Sequence, residues 1–188
     1  MMSAASTADV MALLAAQLAA FLALILLASG LHKFIRRARS QAVVREFAGV
    51  PRALAPFTVL AVATAELLAG LMLLTPAYRA VGGVLAALIW AAYLGLILRA
   101  IAQGRRDVDC GCTFGIAQRP LGAFQVTRNG VLVVMAALVS GIALVSMGSI
   151  ADGPVIASQI LAALALAALY GALEQVMALS PPRGGVLL

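Results

Sequence analysis

Charge is what this 188-residue chain has least of. Only 11% of its residues are Asp, Glu, Lys or Arg, where soluble globular domains carry roughly a quarter. Hydrophobic residues make up 64% and the mean hydropathy is +1.08, which excludes an ordinary soluble domain. Acids are scarcer than bases, 7 against 13, for a net charge of +6. Such an excess serves nucleic acid when it forms a stripe interleaved with aromatics. Aromatics are 5% here and no such stripe exists, so no nucleic-acid partner is expected. The first ten residues hold no Lys or Arg, unlike the basic start of a secretory signal, so the first apolar run is expected to stay as an uncleaved span. There is one histidine, His32, and there are two cysteines. That is too few for a disulfide scaffold and too few for a complete zinc ligand set.

Long apolar runs are what the chain has instead. Val10–Leu31 is 22 residues, about 33 Å of helix, enough for a bilayer core of about 30 Å. Four further runs give spans at about 57–75, 80–101, 130–150 and 154–179. The fold expected is therefore an all-α integral membrane protein, one domain over 1–188, with a bundle of five transmembrane helices in the lipid bilayer. Five crossings put the His32–Pro56 connector, the 103–129 loop and the C-terminal tail on one side, with 12 of the 13 Lys/Arg. Basic loops face the cytoplasm, so the N-terminus is expected outside and the C-terminus inside. The connector mixes Phe34, Val43, Val44 and Phe47 with arginines at helical spacing, which reads as a short interfacial helix.

Three features within the spans bear on packing and chemistry. Glu66 falls at the middle of the second span, where a carboxylate costs about 2.5–3.5 kcal/mol to insert and so turns inward to a partner. Two readings stand side by side: a Glu66–Gln17 hydrogen bond that fixes helix register, and a proton acceptor linked to thiol chemistry. Gly83, Ala87, Ala91 and Gly95 recur every fourth residue of the third span, a small-residue face for close helix approach. Trp90 and Tyr93 lie too deep for an interfacial belt and read as core packing.

The stretch Asp107-Val-Asp-Cys-Gly-Cys-Thr-Phe-Gly115 holds both cysteines, Cys110 and Cys112, separated by Gly111. Thiol exchange needs an attacking thiolate and a second thiol to resolve the mixed disulfide, and this pair supplies both. A disulfide across so short a loop would be strained, hence oxidising and easily reduced. Gly111 gives the backbone freedom that ring closure demands. Arg105 and Arg106 favour the thiolate, and Asp109 opposes it. Two weaker readings are inert cysteines and a soft-metal pair, the latter short of ligands.

The loop resembles the signature of the methylamine utilisation protein MauE family. The supporting residues are Lys33-Phe34 after the first span, Glu66-Leu-Leu-Ala-Gly70 in the second and Gly104-Arg105-Arg106 before the thiols. Phe114-Gly115 after them and Arg128-Asn129 opening the fourth span complete the set. Thr113, between Cys112 and Phe114, departs from the family pattern. The resemblance implies a multi-pass protein of the bacterial inner membrane, with a DsbB/VKOR/DoxX-like four-helix core plus one helix. It implies a role in redox maturation of exported disulfide-containing proteins such as methylamine dehydrogenase, through a periplasmic thioredoxin-like (MauD-like) partner.

The expectation is thus a membrane thiol–disulfide oxidoreductase with Cys110 and Cys112 catalytic. Gly111, Asp109, Arg105, Arg106, Phe114, Gly115, Glu66, Arg128 and Asn129 support them. A cytoplasmic-side pair would draw electrons from a cytoplasmic thioredoxin and pass them outward, with Gly104, Gly111 and Gly115 permitting loop movement. Quinone is the one cofactor such an enzyme would use, although quinone-coupled relatives employ a further cysteine pair that this chain lacks. The contrasting class is a non-enzymatic assembly factor or anchor for a maturation partner.

Overall fold

The computed structural model describes residues 7–105, 121–145 and 153–179. Within them the chain is all helix apart from short connectors. The helices are α1 (Thr7–Ile35), α2 (Arg37–Ala48), α3 (Ala55–Leu74), α4 (Arg79–Ala102), α5 (Ala123–Val145) and α6 (Gly153–Leu179), with a single 3-10 turn at Pro76–Tyr78. Four stretches are long and apolar enough to cross a membrane: Val10–Ile35, Ala55–Leu74, Pro76–Ala102 and Ala123–Val145. The fifth expected span coincides with α6, whose apolar stretch runs Ile160–Leu173. This is a multi-pass membrane protein.

Its spanning helices are apolar on every side, which in a soluble protein would mark full burial and here marks a lipid-facing exterior. Leu60, Leu71, Leu88, Val134 and Leu169 are all exposed. Small residues carry the inner faces. Ala19, Leu22 and Leu26 of α1 meet Ala69 and Leu73 of α3, Ala86 and Trp90 of α4, and Leu132, Ala136 and Val139 of α5 in one core. The helices close into a ring, α1 on α3, α3 on α4, α4 on α5 and α5 back on α1, with α6 against the outside of α1. There Phe21 and Tyr170 meet edge to face, ring centroids 6.0 Å apart.

Glycines let the ring close tightly at four points. A Cβ on Gly30 would stand 2.9 Å from Leu67 Cγ, and one on Gly70 would stand 2.8 Å from Leu27 Cγ. Together these contacts set the antiparallel register of α1 on α3. Gly82 touches the α3 end at the Leu73 backbone, and Gly83 meets Ala136 and Ser140 of α5. The expected small-residue stripe is used only at this end: Ala91 is exposed and Gly95 has nothing near it. A strict four-residue repeat drifts around a helix of 3.6 residues per turn, so the buried face follows Gly83, Ala86, Trp90, Ile97 and Ala100 instead.

One end of the bundle gathers the C-terminus of α1, all of α2, the start of α3, the end of α4 and the start of α5. The expected connector helix is α2; it ends on Gly49 in the left-handed conformation, φ +70°, the usual glycine stop. Phe47 of α2 packs with Ile97 and Ala100 of α4 and with Leu121. Helix α4 stops in the same way. Gly104 takes φ +72°, its N–H reaches the Ile101 carbonyl, and the Arg105 N–H reaches that of Ala100. This double closure is a Schellman cap, so Gly104 acts as a fixed helix stop where the sequence suggested loop mobility.

Helix α5 begins at Ala123, seven residues ahead of the expected start at Gly130. The Gln125 side chain accepts the Gly122 N–H at 3.0 Å, half of a capping box, and Asn129 Nδ2 donates back to the Gln125 carbonyl at 2.9 Å. These polar residues therefore start the helix. Arg128 and Asn129, expected at the loop boundary, lie inside α5 and are buried, 8% and 1% exposed.

Candidate functional site

Glu66 is fully buried, 0% exposed, at the level where α1, α3 and α4 meet. Its first oxygen accepts three hydrogen bonds: Ser29 Oγ at 3.1 Å, Lys33 Nζ at 2.8 Å and Tyr93 Oη at 2.5 Å. The second accepts Lys33 Nζ at 2.9 Å. Lys33 also donates to Ser29 Oγ at 2.7 Å, so its three ammonium protons are all directed to oxygens. The ammonium stands 5.5 Å from the centre of the Tyr93 ring, within range of a cation–π attraction. A lysine, a carboxylate and two hydroxyls thus form a closed network among apolar helices.

Local geometry explains how Lys33 reaches so deep. Side chains on a helix tilt toward its N-terminus, so Lys33, near the end of α1, points back into the bundle over Ser29, one turn earlier. The tight α1–α3 approach at Gly30 then places both opposite Glu66. The partner expected for Glu66 is corrected by this register. Gln17 lies twelve residues before Ser29 on α1, about 18 Å away along the helix, and cannot reach Glu66. Lys33, counted with the basic His32–Pro56 connector, turns inward instead. Tyr93, read as core packing, also donates its hydroxyl to the site.

Ser29 and Tyr93 also face a small central cavity of about 20 Å³, lined on its other side by Trp90, Arg128 and Asn129. A volume above roughly 10–15 Å³ accommodates one water, and the four polar side chains give such a water its partners. The cavity thereby brings Glu66's hydroxyl partners close to Arg128 and Asn129, two of the residues singled out in the sequence. A water there would join the hydroxyls to Arg128 and Asn129 by hydrogen bonds.

Arg105 stands at the exit of α4 and is exposed. Its Nη2 donates to the Glu46 carbonyl at the end of α2, where helix carbonyls lack internal partners. The segment that carries the thiols is thus bounded by Arg105, tied to α2, and by Leu121, buried against α2 and α4. Cys110, Cys112, Gly111, Asp109, Arg106, Phe114 and Gly115 lie outside the described residues. Ser29, Lys33 and Tyr93 belong to the site although composition did not single them out. The available signal was the Ser29–Lys33 spacing of one helical turn, which puts both on the face that Glu66 needs.

Neither a curated protein nor a solved structure matches the chain significantly. A family model does: that of the methylamine utilisation protein MauE, over residues 11–143. The match takes in α1 to α5 almost whole, with Lys33, Glu66, Tyr93, the thiol segment, Arg128 and Asn129. The chain belongs to the MauE family.

Proposed function

We propose that this protein is a thiol–disulfide oxidoreductase of the bacterial inner membrane, serving methylamine utilisation. In its working step a thiolate of the Cys110–Cys112 pair attacks a disulfide on a periplasmic thioredoxin-like partner. The second thiol then resolves the mixed disulfide. The partner gains two electrons and two protons and leaves as a dithiol, while Cys110 and Cys112 are left as a disulfide. A dithiol of the cytoplasmic thioredoxin class returns the pair to its reduced state. The reduced partner in turn supports exported disulfide-containing proteins such as methylamine dehydrogenase. In this reading α6 is a fifth crossing, the N-terminus faces outward, and the basic end of the bundle faces the cytoplasm.

The observation that carries the reading is the sole cysteine pair, separated by one glycine, in the segment between Arg105 and Leu121. Both ends of that segment sit at the basic end of the bundle, the end from which Lys33 reaches in to Glu66. Every thiol exchange moves protons as well as electrons. Glu66, with Tyr93 and Ser29 as hydroxyl relays, is the group placed to take them up and return them inside an apolar bundle. The Arg128–Asn129 side of the central cavity completes the route from Glu66 towards the start of α5.

Serine replacements at Cys110 and Cys112, singly and together, test this. Loss of methylamine dehydrogenase maturation in both single variants, with the membrane level of the protein unchanged, is the expected result. Maturation retained in the double variant would exclude thiol chemistry and leave the assembly-factor reading in its place. Labelling by a membrane-impermeant thiol reagent in intact cells tests delivery across the membrane: the pair is expected to react from outside in at least one redox state.

A further inference from the structure

The end of the bundle that carries α2 has a second feature, unconnected with the thiols. From His32 to Pro56 the chain holds six Lys/Arg residues and one histidine against a single acid, Glu46. Lys33 turns inward to Glu66. Arg36, Arg37 and Arg39 form the elbow between α1 and α2 and are exposed.

Directly beneath that elbow the surface is grooved on both sides of α2. One groove, about 110 Å³, runs between α2 and the α3–α4 pair, with walls of Val43, Phe47, Val62 and Leu96 and a rim of His32 and Arg39. The other, about 200 Å³, lies between α2, α1 and α3. Phe57 and Leu60 form its wall, and Arg37 and Gln41 its rim. Val59 and Lys33 border both. Apolar walls below and arginines above repeat on the two faces of one short helix.

We infer that this elbow is a binding site for an anionic phospholipid, its phosphate held by Arg36, Arg37 and Arg39 and its acyl chains laid in the grooves flanking α2. Charge and position together select this occupant. Basic pockets between membrane helices on the positive side attract lipids with acidic headgroups, and arginine pairs with phosphate through two parallel N–H bonds. A soluble anion would use the arginines but gain nothing from the apolar walls. A neutral isoprenoid would use the walls but gain nothing from the charge of the three arginines. The grooves lie beside exposed Leu54, Phe57 and Leu60, at the membrane-side edge of α2, where a lipid arrives laterally.

The site ties α2 to the membrane surface, and through Phe47 and the Arg105–Glu46 bond it reaches the exit of α4. The inference does not depend on the redox reading, and its readout is lipid retention, not activity. Full-length protein, purified in detergent and mixed with equal amounts of phosphatidylglycerol and phosphatidylethanolamine, would be examined by native mass spectrometry. Retention favouring phosphatidylglycerol by about tenfold is expected, as each arginine near a headgroup contributes a factor of about five before screening. Replacing Arg36, Arg37 and Arg39 together by glutamine should bring the ratio close to one, with an unchanged melting temperature in detergent showing that the fold is kept. Equal retention of the two lipids by the native protein would overturn the inference, as would an unchanged ratio in the triple variant. Displacement of lipid by millimolar glycerol 3-phosphate would show a headgroup site that ignores the grooves. Preferential retention of an added isoprenoid quinone would assign the grooves to a neutral occupant, and either result rejects the phospholipid.

Discussion

Lys33 spans the α1–α3 interface to hold both oxygens of Glu66, at 2.8 and 2.9 Å. The Glu66 side chain is 1% exposed, the lysine side chain 13%. The two are therefore unequal partners: the lysine can be withdrawn toward the basic end of the bundle, whereas Glu66 stays wherever α3 puts it.

That asymmetry predicts a double-mutant result. Glu66→Gln leaves a charged lysine inside the bundle and should destabilise by about 3 kcal/mol, the cost of breaking a buried pair by one partner. Lys33→Met should cost less, since Ser29 and Tyr93 still donate to the carboxyl group. The Lys33→Met, Glu66→Gln double variant should lose less than the two single losses summed. Thermal unfolding in detergent micelles measures all three, and strict additivity would show that the pair is not coupled.

The short Tyr93–Glu66 bond, 2.5 Å, predicts a different signature. Tyr93→Phe keeps the ring beneath the Lys33 ammonium and removes only the hydroxyl. A hydrogen bond to a charged group contributes about 1.5–3 kcal/mol, so a loss in that range is expected. If Tyr93 also relays protons, the variant slows thiol exchange more at high pH than at low pH, where protons are abundant. Unfolding curves and a pH–rate profile of partner reduction separate the two effects.

Glycine replacements should sort by what lies opposite. A Cβ on Gly82 would stand 2.7 Å from a backbone nitrogen of Leu73, so Gly82→Ala must shift the α3–α4 turn at a cost of about 1–3 kcal/mol. Gly95 has nothing within 4 Å, and Gly95→Ala should be neutral or stabilise by up to about 1 kcal/mol. A melting comparison of the two variants checks the assigned buried face of α4.

Much of this arrangement can be read from composition, and the misreadings have one cause. Apolar runs locate helices well when the bilayer is the solvent, and α1, α3 and α4 begin and end within a few residues of the expected spans. The same rule fails where a helix carries polar residues that the protein itself satisfies. Gln125, Arg128 and Asn129 interrupt the hydrophobic run, so α5 looked shorter than it is. Lys33 looked like a flank because it follows an apolar run; only register across two helices shows that it turns inward. Glu66 was identifiable because a lone mid-span carboxylate must have a partner, but which partner depends on the Gly30 and Gly70 contacts, and these are properties of a pair of helices.

Arg128 gives the last prediction, because it is a cation where few are tolerated. It is 8% exposed, and it lies in the second turn of α5, seven residues after Leu121 at the end of the thiol segment. A cation about 10 Å from a thiol, in a medium of effective dielectric about 20, favours the thiolate by roughly tenfold. If the thiols come within that range of Arg128, Arg128→Leu should slow iodoacetamide alkylation of the reduced Cys110–Cys112 pair at pH 7 by up to about tenfold. Arg128→Lys, which keeps the charge but not the planar fork, should lie close to the native rate. If the two variants react alike, Arg128 acts through shape and not charge. If neither differs from the native protein, the buried end of α5 has no electrostatic hold on the thiols.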